Sequence, residues 1–192
     1  MKQLILSLAL LVTAHAQALE VYALGTSNTN CKNADQAYTR RLGELLQGQA
    51  RVTNGGENGD RPIWMLRRIK SVVERNPDIK IVIFEPGPNE RSRSWNLEPS
   101  KEILQYLYSR NIVAIYVSHN WIQSPQEAED FAIRNGAYYY GPWTRGVPVD
   151  TEHRQYDQGT HPGHMTVKGC ELWAEQMAPL VKYAIRENNL NR

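Results

Sequence analysis

At 192 residues, with 22 basic and 20 acidic side chains and a formal net charge of +2, the chain has the length for one domain with a full core. Its charges form no block of one sign and no basic stripe interleaved with aromatics, which argues against a nucleic-acid surface. Only two cysteines are present, far apart in sequence, so a thiolate metal cluster is also excluded.

Met1-Lys2, the apolar run Leu4 to Val12 and the small residues of Ala14-His15-Ala16-Gln17-Ala18 follow the order of a secretory signal peptide. Cleavage is expected after Ala18, with Ala16 as a second candidate, leaving residues 19–192 as a secreted or periplasmic domain. The apolar run is shorter than the roughly 20 residues that a membrane span requires. In an oxidising compartment Cys31 and Cys170 are expected to form a disulfide closing a loop of more than 100 residues, with two buried thiols as the other outcome.

Glu20 to Leu24 reads as a strand, and Ala34 to Gln47 as a helix capped by Asn33, with Ala37, Leu42, Leu45 and Leu46 on its apolar side. Ala50 to Thr53 is a second strand, ended by a glycine-rich turn. Pro62 opens a helix carrying Ile63, Leu66, Ile69, Val72 and Val73. Ile79 to Phe84 is a continuous apolar run between Pro77 and Pro86, as expected of a strand covered on both faces. A helix over 99–110, a strand over 112–117, a helix over 125–134, a strand over 137–140 and a last helix over 165–186 complete the chain. Strands alternating with helices imply a five-stranded parallel sheet in a three-layer α/β/α sandwich.

Such sheets bind ligands beyond the carboxyl ends of their strands. Four segments fall on that rim: Leu24 to Asn28, Asn54 to Asp60, Glu85 to Glu90, and Asp157 to Pro162. They supply a hydroxyl, a glycine amide, a carboxamide and an imidazole, the groups that nucleophilic acyl transfer requires.

These residues resemble the SGNH (GDSL-like) hydrolase superfamily over nearly the whole mature chain. Val21 to Ser27 is similar to its strand followed by Gly-Asp-Ser, and Asn54 to Asp60 to its second block. Gly87-Pro88-Asn89-Glu90 is similar to its Gly-x-Asn-Asp, and Gly159 to Pro162 to the end of its fifth block. The resemblance implies a flavodoxin-like sheet of order 2-1-3-4-5 and a serine esterase or acylhydrolase that needs no cofactor. Its substrate would be a small-molecule or glycan ester. Ser27 would be the nucleophile and His161 the general base. The amides of Ser27 and Gly59 and the side chain of Asn89 would form the oxyanion hole.

Two positions depart from the pattern. Thr26 stands where the family has the aspartate of Gly-Asp-Ser, and Gln158 stands where it has the aspartate that orients the histidine. Asp157, one residue earlier, is the other candidate for that orienting role. Gln158 and Thr26 also motivate an alternative function, a catalytically impaired SGNH-like domain that binds polysaccharide.

His153, Asp157, His161 and His164 have a spacing that would also allow a zinc site, although Pro162 and Gly163 break any helix that could align them. His119 reads as a loop residue after the fourth strand. Trp95, Trp121, Trp143 and Tyr138 to Tyr140 suggest aromatic loops at the rim, and Arg91 and Arg93 a pair of cations there. Trp64 and Trp173 read as core or partly buried.

Overall fold

A computed structural model describes residues 19–31, 37–90, 96–156 and 163–190. The elements run β1 (Leu19–Gly25), α1 (Ser27–Asn30), α2 (Ala37–Leu46), β2 (Ala50–Gly56), α3 (Pro62–Arg75), β3 (Ile79–Phe84), α4 (Glu98–Ser109), β4 (Val113–Ser118), α5 (Pro125–Arg134), β5 (Ala137–Pro142) and α6 (Val167–Glu187). All five strands are parallel, in the order β2-β1-β3-β4-β5, which is the flavodoxin-like arrangement.

Side chains alternate between the two faces of the sheet, as the strand period of two requires. Val21, Ala23, Ile81, Ile83, Ile115 and Val117 face α2 and α6. Tyr22, Leu24, Val82, Phe84, Ala114 and Tyr116 face α3, α4 and α5. Residues 81–84 of β3 are fully covered because helices lie on both sides of this central strand. That is why it reads as an unbroken apolar run.

The structure adds detail the periodicity does not carry. β2 continues through Asn54-Gly55-Gly56, because each of these residues pairs with one of Ala23-Leu24-Gly25 in β1. Polar and glycine residues thus take strand geometry where a turn was expected. The one-turn helix α1 is likewise absent from the sequence reading, since four polar residues show no apolar period. The final helix starts at Val167 rather than 165. The Thr166 hydroxyl accepts from the Gly169 N–H at 3.1 Å and so fixes the cap there. Asn33, the expected cap of α2, lies outside the described residues.

Cys31 and Cys170 are joined by a disulfide across 139 positions. The bond links the end of α1 to the first turn of α6. In the chain-entropy picture a loop of this length is worth up to about 5 kcal/mol. Among the described residues no helix is long and apolar enough to cross a membrane. Trp173 is fully buried and stacks on Tyr38 with ring centroids 4.1 Å apart. Trp64, by contrast, is 46% exposed on α3, with the Arg61 guanidinium 4.4 Å above its ring.

Candidate active site

Ser27 is the first residue of α1, directly after β1. Thr26 caps this short helix, its hydroxyl accepting from the Asn28 N–H at 3.3 Å. Cys31 closes it in the left-handed region, at φ 51°.

The imidazole that meets Ser27 belongs to His164, with Ser27 Oγ and His164 Nε2 2.8 Å apart. His161, chosen from the sequence as the base, lies outside the described residues, as do Asp157 and Gln158. Among the described residues, the histidine within bonding reach of the hydroxyl is His164, three residues after the one the Gly-Thr-His-Pro resemblance selects.

Backbone pairing explains the position of His164. Residues 153–155 run antiparallel to 164–166: the Gln155 N–H donates to the His164 carbonyl at 2.7 Å, and Arg154 bridges to Met165. Thr166 N–H donates to the His153 carbonyl at 3.0 Å, while the Thr166 hydroxyl donates to the Glu152 carbonyl at 2.6 Å. Both arms are therefore clamped just before α6, which fixes the backbone beneath the ring. Gly169, five residues after His164, fits the same clamp. A Cβ there would lie 2.2 Å from the His153 carbonyl oxygen.

The end of β2 and the loop after it are tied to the serine turn. Glu57 N–H donates to the Gly25 carbonyl at 3.0 Å, Asn54 Nδ2 to the Thr29 carbonyl at 3.2 Å, and Asn30 Nδ2 to Asn58 Oδ1 at 3.0 Å. Gly59 adopts φ +75° with open space where a Cβ would sit, so backbone conformation rather than room calls for glycine. Asn89 reaches the same loop, Nδ2 donating to the Asp60 carbonyl at 2.9 Å. A carboxamide carries two N–H groups, so one orients the side chain and the other can serve an incoming oxyanion.

Arg68 of α3 holds this loop from behind, a role the sequence does not announce. Its Nη1 donates to the Gly55 carbonyl at 2.6 Å, its Nε lies 3.1 Å from Glu57, and its Nη2 pairs with the buried Asp60 carboxylate. Helical periodicity marks Arg68 only as a polar position, so no signal in the chain singles it out.

Glu85 is also unannounced. It follows β3, is 1% exposed, and receives four hydrogen bonds from residues 26–29. Burial pushes its carboxyl above the usual carboxylate range, and the donors from Thr26, Asn28 and Thr29 oppose that shift.

At the β4 end, His119 is buried, with its ring 5.8 Å from Trp143 in a stacked pair and 4.9 Å from Trp121 edge-on. Of these aromatics Trp143 is buried and Trp121 is 74% exposed, whereas Trp95, Arg91 and Arg93 lie outside the described residues. Burial pushes the His119 imidazole down from 6.5 to about 4. The unfolded chain therefore binds the proton more readily, and stability falls as pH drops below 6.5 toward about 4. The loss is expected to reach about 3 kcal/mol at the acid end of that window. Guanidinium titrations at neutral and acid pH should show it, and His119→Phe should flatten the dependence.

Of the four zinc candidates, His164 bonds Ser27 and His153 Nδ1 lies 2.7 Å from Asp150, while Asp157 and His161 lie outside the described residues. Asp150, Glu152 and His153 place ligand atoms within 4.8 Å of one another, but Glu152 is paired with Lys168.

No protein-family model matches the sequence, and no curated protein matches it. Solved structures do. The psychrotrophic esterase EstA from Pseudoalteromonas sp. superposes at TM-score 0.69, over 87% of this chain and 98% of that one, at 14% identity. TesA gives TM-score 0.68 at 17% identity over 85% of this chain and 98% of its own. AlinE4, an SGNH-hydrolase family esterase, gives 0.62 at 24% identity over 88% and 97%. The chain has the SGNH-hydrolase fold. Within that fold Ser27, the 54–60 segment, Asn89 and residues 163–166 leading into α6 lie on one rim, where Ser27 bonds His164 and Asn89 bonds Asp60.

Proposed function

We propose that the protein is a serine esterase or acylhydrolase working through an acyl-enzyme, with Ser27 as nucleophile and His164 as general base. The observation that carries this reading is the 2.8 Å contact between Ser27 Oγ and His164 Nε2. A serine hydroxyl is a weak nucleophile until a base within hydrogen-bond reach accepts its proton. In the first step His164 takes that proton as Ser27 Oγ bonds to the ester carbonyl carbon. The oxyanion is met by the amides of Ser27 and Gly59 and by Asn89 Nδ2. His164 then donates its proton to the leaving alcohol, and the Oγ–acyl ester remains. Water, deprotonated by the same imidazole, attacks that ester and releases the acid and free Ser27. The solved esterases that share the fold support this reaction class, and EstA has been captured inhibited by monoethylphosphonate.

The proposal extends to a secreted or periplasmic enzyme acting on O-acyl groups of a glycan. The signal-peptide pattern of residues 1–18 and the exposed ring of Trp121 support that extension. Mature protein incubated with p-nitrophenyl acetate should turn over, and a fluorophosphonate probe should attach at Ser27 as judged by peptide mass. Inert protein that no probe labels overturns the esterase reading. If that inert protein bound O-acetylated xylan, the binding-domain alternative would stand.

A further inference from the structure

Glu85 is a buried carboxylate whose four donors among the described residues are the Thr26 N–H at 3.0 Å, the Thr26 hydroxyl at 2.7 Å, the Thr29 hydroxyl at 3.2 Å and Asn28 Nδ2 at 3.4 Å. No cation is among them. A carboxylate at this depth is costly to bury unless its lone pairs are filled. All four donors come from the three residues that flank Ser27 on either side.

A one-turn helix is unstable alone, because nucleation fixes several dihedrals for a single backbone bond. Glu85 supplies what α1 lacks. Thr26 Oγ1 accepts from the Asn28 N–H and donates to Glu85 Oε2, so both hydrogen-bonding capacities of the capping hydroxyl are engaged and its rotamer is set. The site is also closed to adjustment. A Cβ on Gly25 would lie 2.0 Å from Thr29 Oγ1 and 3.0 Å from Glu85 Oε2. A Cβ on Gly87, itself at φ +65°, would lie 2.1 Å from Thr26 Cγ2.

We infer that Glu85 is the positioning residue for the nucleophile, anchoring the turn from strand β3 with the carboxylate that position 26 lacks in this chain. The inference rests on the reading of Ser27 as nucleophile. Ser27 Oγ must keep its 2.8 Å distance to His164 Nε2, and a displacement of about 1 Å can cost about 10²-fold in rate. Glu85 therefore acts on kcat through Thr26, Asn28 and Thr29, without touching substrate.

Three variants test it. Glu85→Gln replaces charge-assisted bonds by neutral ones of about half the strength and turns one acceptor into a donor. It is expected to lower kcat and the fluorophosphonate labelling rate about 10- to 100-fold with KM unchanged. Thr26→Asp sets a second carboxylate against Glu85 and should also lose kcat. The exchange pair Thr26→Asp with Glu85→Gln returns one carboxylate to the cluster and should recover most of it. A wild-type kcat in Glu85→Gln, a loss confined to KM, or no recovery in the exchange pair overturns the proposal.

A readout independent of turnover covers variants that fold poorly. In wild-type protein the Thr26 amide proton should resonate far downfield and exchange slowly, as a donor to a buried carboxylate. An ordinary shift with fast exchange would overturn the anchoring role even if the enzyme is active. Wild-type protein that no fluorophosphonate labels would instead refute the esterase reading, and the Thr26 amide would still report on Glu85.

Discussion

His164→Ala is expected to lower kcat on p-nitrophenyl acetate by about 10⁴-fold or more with KM little changed, and Ser27→Ala to do the same. The magnitude follows from the geometry. Ser27 Oγ has its imidazole at 2.8 Å, and proton removal by that ring is what converts a weak hydroxyl into a nucleophile. The double variant should be no worse than either single one, because the two side chains act as one unit and their effects do not add. The decisive comparison is His161→Ala, whose loss should be smaller by at least about 10²-fold. If steady-state kinetics reverse that order, the base is His161 and the Ser27–His164 contact is not the catalytic one.

Asn89→Ala should cost about 10²- to 10³-fold in kcat, the usual consequence of removing one donor to a developing oxyanion. The carboxamide is held by its bond to the Asp60 carbonyl, so its orientation is set before substrate arrives and no reorganisation accompanies the reaction. Arg68 stands one step further back. Arg68→Met removes the ties to the Gly55 carbonyl, Glu57 and Asp60 while keeping the aliphatic stem. It should reduce kcat less than Asn89→Ala does. It should also destabilise the fold, because Asp60 would be left as a buried carboxylate without its cation. Kinetics and thermal melts together check this: Asn89→Ala changes rate with little change in melting temperature, whereas Arg68→Met changes both. An Asn89→Ala enzyme with wild-type kcat would remove that side chain from the oxyanion hole.

Much of the architecture is legible in the chain because it depends on short-range patterning. The apolar run Ile79 to Phe84 becomes β3, and the proline at 62 and the residues spaced behind it become α3. Strand–helix alternation leads to a parallel sheet through the handedness of crossovers, and that sheet puts Ser27, Gly59 and Asn89 on one rim. The extension of β2 through Gly56 is illegible for the opposite reason. Its residues have no strand propensity, and only pairing with Ala23 to Gly25 holds them extended.

The composition and order of the candidate site, with a serine after the first strand, a glycine loop after the second and an asparagine after the third, were thus determined by local sequence, since strand ends are set by propensity and hydrophobic period. That His164 meets the serine is a contact made by tertiary structure alone. His161 and His164 are three residues apart in sequence, with no period to separate them. The position of His164 rests on non-local backbone bonds from residues 153–155 to 163–166. The same holds for Glu85 and Arg68: a buried carboxylate and a helix arginine are unremarkable along the chain, and their partners, 56 to 59 residues away for Glu85 and 8 to 13 for Arg68, become neighbours only when the chain folds.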